Sequence, residues 1–182
     1  MRSGTGYRRT TPFGVAPFDD QLSPAPSLTW WDHFQEHRDL PMAPQVYNWT
    51  CSICSTDWLL RATGLNPHSS REQVCAQIGY PSCVDEYSGL KDTECLQDVI
   101  EQYGVPTEVE WPSWERALEI ASSTAFILDS LTMYHFMAGR GLDGSGGLWI
   151  ANSASGYMGV YETIDQYQWN RLQPWKFVVL LR

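Results

Sequence analysis

The sequence predicts an α+β domain, a helical first half packed on an antiparallel sheet supplied by the second half. Between residues 51 and 121 apolar side chains recur every three or four positions, bounded by Ser, Thr and Gly. From residue 124 onward the apolar runs are short and separated by glycine-rich or polar turns, the pattern of strands. The two patterns come one after the other rather than alternating, which favours segregated helices and sheet over a parallel βαβ arrangement. The 182 residues suffice for one well-cored domain with an appendage.

Residues 1–44 hold six of the eleven prolines and read as an extended arm, because proline removes a backbone donor and breaks regular ladders. Phe13, Phe18, Trp30 and Trp31 are large apolar groups that a solvated tail rarely carries, so part of the arm is expected to pack on the domain or on a protein partner, its own domain being favoured. Trp30 to Arg38 is expected to be a short helix, with His33 and His37 one turn apart on its surface.

The domain, residues 45–182, opens on a polar, turn-like stretch followed by Cys51, after which Ile53, Trp58, Leu59 and Ala62 keep helical spacing up to Gly64, suited to a left-handed position after a helix. A second short helix follows Ser69 or Ser70 and ends at Gly79, and residues 80–92 read as a loop. Thr93 is expected to cap a helix over Glu94 to Tyr103, Val105 to Trp111 to be extended, and Ser113 to open a helix through Ala121. Strands are expected at Thr124 to Asp129, Tyr134 to Arg140, Gly147 to Asn152 and Lys176 to Leu181, with a short helix over Thr163 to Asn170. The glycine-rich segment 139–147 lacks the lysine and the strand-to-helix setting of a phosphate loop and reads as a hairpin connection.

Composition limits the partners. A formal net charge of −9, with no gathered basic stripe, opposes binding to nucleic acid. No run of about 18 apolar residues exists to insert in a membrane, and no apolar segment follows the basic N-terminus as in a secretory signal, which leaves a cytoplasmic or virion-associated location open. Five cysteines without framework spacing argue against a disulfide scaffold and leave at least one thiol free.

Chemistry concentrates around Cys51. A cysteine at a helix N-terminus faces unpaired N–H groups and the positive end of the helix dipole, both of which favour the thiolate. Gln45, six residues upstream, is placed to offer an amide donor to the oxyanion formed when a thiolate attacks a carbonyl. A nucleophile of this kind needs a base, and among the four histidines His135 opens an apolar strand at the start of the sheet. Asn152 ends the next strand, positioned to accept the other imidazole N–H. Trp49, Tyr134 and Trp149 flank these residues and are expected to line a cleft.

Gln45 and Cys51 six apart, the helix to Arg61-Ala-Thr-Gly64, the strand Tyr134-His135-Phe-Met-Ala-Gly and the strand Trp149-Ile-Ala-Asn152 together resemble the papain-like cysteine peptidases, among them the bacteriocin-processing peptidases that cut double-glycine leaders and related bacterial and phage domains. The resemblance covers residues 45 to about 182. It implies a papain-like fold with its site between helices and sheet, no metal or organic cofactor, and roles for Gln45, Cys51, His135 and Asn152 as oxyanion donor, nucleophile, base and orienting residue. The expected reaction is hydrolysis of a peptide or isopeptide bond; the resemblance itself names no substrate, and the candidates are a cell-wall (peptidoglycan) peptide or a protein to be processed. Ser52 stands where many relatives have glycine, and Asn152 where the leader peptidases usually have aspartate.

Three other readings compete. Cys51-Ser-Ile-Cys54 has the spacing of a redox CxxC, without the βαβ surroundings that motif requires. His68, Cys75, Cys83 and Cys95 lack the paired short spacings of structural zinc and are expected to be ordinary buried or free side chains. The third is a papain-like module whose cleft is catalytically silent, a structural or attachment part of a larger assembly such as a phage tail.

Overall fold

The computed structural model describes residues 28–154 and 162–182, so the expectations for Phe13 and Phe18 lie outside the described residues. In chain order the elements are α1 (Trp30–His37), α2 (Cys51–Ala62), α3 (Arg71–Ile78), β1 (Val84–Asp85), β2 (Gly89–Leu90), α4 (Glu94–Glu101), β3 (Thr107–Glu110), α5 (Trp114–Ser123), β4 (Phe126–Ser130), β5 (His135–Leu142), β6 (Leu148–Ala151), β7 (Thr163–Ile164), α6 (Gln166–Arg171) and β8 (Trp175–Leu180). β3 to β8 form one sheet in the order β3-β8-β4-β5-β6-β7, every neighbouring pair antiparallel.

Period-2 alternation gives this sheet two apolar faces. Ile127, Phe136, Ala138, Ala151, Val178 and Leu180 join the core built with α2 to α4, whereas Phe126, Leu128, Met137, Ile150, Phe177 and Val179 join a second core with α5 and Trp169 of α6. Gly139 sits directly across from Phe126, whose ring occupies the space that any Cβ at 139 would need. α2 is central: of its twelve residues only Arg61 is not buried, so it reads as an amphipathic helix while behaving as a core element.

Local chemistry explains the boundaries. The hydroxyls of Ser70 and Ser113 accept the N–H groups of Gln73 and Arg116, capping α3 and α5. Gly64 lies just past α2 at φ +69, and a side chain there would strike the His33 ring. Thr93 precedes α4 but makes no capping bond; the Asp92 carboxylate accepts the Glu94 N–H at 3.3 Å instead.

Three expectations need correction. Residues 80–92 contain the β1–β2 hairpin, whose two-residue strands are too short to carry a period. Thr163–Ile164 is an edge strand rather than the start of a helix, and α6 begins after Asp165, which caps it by accepting Gln168 N–H. Cys83 and Cys95 are joined by a disulfide with Cα atoms 6.3 Å apart, because the hairpin folds back onto the start of α4. That pairing also dissolves the zinc alternative, and no metal-binding group of three or more His, Cys, Asp or Glu occurs among the described residues.

Residues 28–44 lie on the domain. Phe34 is fully buried, stacks on Trp31 with centroids 5.5 Å apart and meets Trp58 of α2 edge-on at 6.4 Å. Trp58 Nε1 donates to the Leu40 carbonyl at 2.8 Å, and Arg140, raised from a β-bulge in β5, donates to the Arg38 carbonyl at 2.8 Å. His33 and His37 stack with centroids 4.1 Å apart, and each ring bonds a backbone carbonyl, of Ala62 and His33 respectively. No helix among the described residues is long and apolar enough to cross a membrane.

Candidate active site

Cys51 is the first residue of α2, where backbone N–H groups lack intrahelical partners. It is 6% exposed and forms part of the wall of a cleft of about 510 Å³. The β1–β2 hairpin and the chain to Thr93 make one side of this cleft, and Asp129, Phe136 and Lys176, neighbours across β4, β5 and β8, make the other. Trp49 and Tyr134 line it, as expected from sequence; Tyr134 is 85% exposed and holds a φ of +51, a strained value for a side-chain-bearing residue. Trp149 does not line it. The guanidinium groups of Arg38 and Arg140 lie over its ring, 5.9 and 5.2 Å from its centroid, and it borders a separate depression beside Asn152.

His135 is completely buried at the start of β5, and its Nε2 lies 2.8 Å from Asn152 Oδ1. Asn152 directly follows β6, the antiparallel neighbour of β5. The same Oδ1 accepts the Ala154 N–H at 2.9 Å, which fixes the orientation of the amide. An amide oxygen can only accept, so Nε2 must carry the imidazole proton and Nδ1 the lone pair. Nδ1 is buried and has no hydrogen-bond partner among the described residues.

Burial is the largest influence on both groups. It pushes the Cys51 thiol up, against the pull of the Phe136 and Ser52 backbone N–H groups on its sulfur. It pushes His135 down, opposed by the bond to Asn152. The favoured resting pair is therefore thiol and neutral imidazole, rather than the thiolate that the helix terminus alone suggested. Ser52, beside the nucleophile candidate, is fully buried and its hydroxyl has no partner among the described residues.

Gln45 joins this assembly through a residue that sequence reasoning did not single out. Its backbone N–H donates to the Ser153 carbonyl at 2.8 Å, and the Ser153 hydroxyl donates to Gln45 Oε1 at 3.0 Å. With the oxygen occupied, the amide NH2 is the end left for another group. The four residues thus form a chain of contacts: Cys51 against the backbone of Phe136, His135 next to it bonded to Asn152, and Ser153 next to that bonded to Gln45. Cys54, Cys51 and Cys75 are free thiols, and Cys51 and Cys54 are not paired as a redox CxxC would be when oxidised.

No protein-family model matches the chain, and no curated protein matches it. Among solved structures the fold is similar to that of a double glycine motif protease from an AMS/PCAT transporter, determined as a crystal structure in complex with the leader peptide. The likeness covers 78% of this chain and 91% of that one, with a TM-score of 0.58 at 16% identity. Helices packed on one antiparallel sheet in this arrangement constitute the papain-like α+β fold of the double-glycine peptidases, and this chain has that fold.

Proposed function

We propose that this protein is a cysteine peptidase. The observation that carries the reading is the His135–Asn152 bond with its fixed amide, which leaves a buried, unpartnered imidazole lone pair on the strand whose next residue touches Cys51. A lone pair of that kind is what a thiol needs as proton acceptor.

In the reaction, His135 Nδ1 takes the Cys51 proton as Sγ bonds to the carbonyl carbon of the scissile amide. The carbonyl π pair moves onto oxygen, and the oxyanion is held by the Cys51 backbone N–H and the Gln45 amide. Collapse of this intermediate expels the amine, which leaves with the proton from His135. Water, deprotonated by the same nitrogen, then hydrolyses the thioester and restores the thiol. Asn152 accepts the Nε2 proton throughout, keeping Nδ1 directed to the chemistry. None of these steps uses a metal or organic cofactor.

The substrate is a peptide or isopeptide, either a protein segment to be processed or a peptide of bacterial cell wall. Incubation with a double-glycine leader peptide, peptidoglycan fragments and a mixed peptide library, read by mass spectrometry, tests the class. Cleavage by the wild-type protein and none by Cys51→Ala is the expected result. Equal spectra from both proteins across all three substrates would reject the reading and leave a binding module with a silent cleft.

A further inference from the structure

Asp129 is a buried carboxyl in the cleft for which the proposed chemistry has no use. It lies on β4 between Phe136 of β5 and Lys176 of β8, its partners in register. Alternation puts it on the face of Ile127, where β4 otherwise offers an apolar side chain to the core under α2. A carboxyl at such a place costs free energy unless something answers it. At 6% exposure it is more than nine-tenths buried, it lines the cleft with Cys51, and its carboxyl makes no hydrogen bond or ion pair among the described residues.

The cations nearby are committed elsewhere. Lys91 is held by Asp85 at 2.8 Å and by the Pro81 carbonyl at 2.9 Å. Lys176 is drawn towards Glu94 at 3.7 Å and lies over the Trp111 ring, 6.0 Å from its centroid. Glu86, beside Asp85 on the hairpin, accepts a bond from the Tyr80 hydroxyl at 2.6 Å. Asp129 therefore remains an acceptor with no direct partner among the described residues, eased only at a distance by Lys176 and close enough to Cys51 for the two to interact. A cleft with an unpaired carboxyl at its base and aromatic rings such as Trp49 and Tyr134 at its sides suits a cation, since carboxylate and ring faces both attract positive charge.

We propose that Asp129 is a specificity residue that receives a primary ammonium group of the substrate, either a lysine-like side chain near the scissile bond or a free α-amine. This deepens the peptidase reading and rests on it for the word substrate, but the site is defined without turnover. Burial, only partly offset by Lys176, raises the free carboxyl to about 7, and an incoming ammonium pulls it back to the ionised form.

The test is calorimetric titration of the full-length Cys51→Ala protein at pH 8. The probes are capped Gly-Ser hexapeptides with one lysine or one norleucine at each position in turn, and an uncapped Gly-Ser hexapeptide with a free amino terminus. At one position lysine is expected to bind at least about tenfold more tightly than norleucine, or the uncapped peptide than its capped twin, and these two results distinguish the sources of the ammonium. The gap is expected to close when Asp129→Asn is added, with Asp129→Ser as the second variant should the first not fold. No cation preference in any peptide, or a preference that survives both substitutions, would overturn the assignment. An unreactive Cys51 would count against the peptidase reading alone, because this titration requires no nucleophile.

Discussion

Asn152 decides which nitrogen of His135 is available for chemistry. Its Oδ1, held by the Ala154 N–H, can only accept, so Nδ1 is the basic nitrogen. Because burial lowers His135, this base stays unprotonated below the ordinary histidine value of 6.5. The acid limb of kcat/KM should accordingly have its midpoint below pH 6.5; a midpoint at or above that value would mean that the imidazole is not held as described. Gln45→Ala should lower kcat about 10²- to 10³-fold with little change in KM, the loss typical of one oxyanion donor. Asp129 makes a prediction of opposite kind. Its folded value, about 7, lies above the ordinary 3.8, so the stability it contributes is full below about pH 4 and is lost as pH rises through 7. At about 1.4 kcal/mol per pH unit across that interval the penalty is on the order of 4 kcal/mol. Asp129→Asn should therefore raise Tm at pH 8, with the gain shrinking towards pH 4; an equal shift at both would show that ionisation is not the cause.

At the scale of elements, the β1–β2 hairpin shapes the cleft while having almost no secondary structure of its own to hold it. Two-residue strands supply few ladder bonds, and the Cys83–Cys95 bridge anchors the hairpin to α4. Cys83→Ser with Cys95→Ser should cost on the order of 3 kcal/mol, the usual value for a loop of this length, measured by urea unfolding in the absence of reductant. An unchanged midpoint would indicate that the bridge does not constrain the chain. The helices and long strands were legible because their apolar periods and caps are local, as at Ser70, Ser113 and Gly64. The hairpin was not, since its two-residue strands carry no period, and the edge strand Thr163–Ile164 and the disulfide were not, since each depends on a partner farther along the chain. The same division holds within the site. Cys51, His135, Asn152 and Gln45 carry recognisable chemistry in their residue types and spacing, whereas Ser153 gains significance only from its contact with Gln45 and Asp129 only from register across the sheet.

For the molecule as a whole, the sheet separates two cores, and the cleft opens where the N-terminus of α2 meets the sheet beside the hairpin. The fold could be anticipated from sequence because helical and strand periods fall in separate halves of the chain. The formal net charge of −9 acts over this whole surface. Added salt should raise Tm by screening self-repulsion and, in the same range, weaken the binding of lysine-bearing peptides, because the screening length falls from about 10 Å at 0.1 M to about 3 Å at 1 M. Parallel rather than opposed responses would indicate that the cleft does not attract cations through its charge.

Whether His135 serves Cys51 as its base is tested most directly by limited alkylation at pH 7, with each cysteine quantified by mass spectrometry in the wild-type protein and in His135→Ala. The rate at Cys51 should fall at least about tenfold when the imidazole is removed, while Cys54 and Cys75 keep theirs, since the histidine takes the Cys51 proton as the sulfur reacts. Labelling of Cys51 that is unchanged by His135→Ala would contradict the dyad.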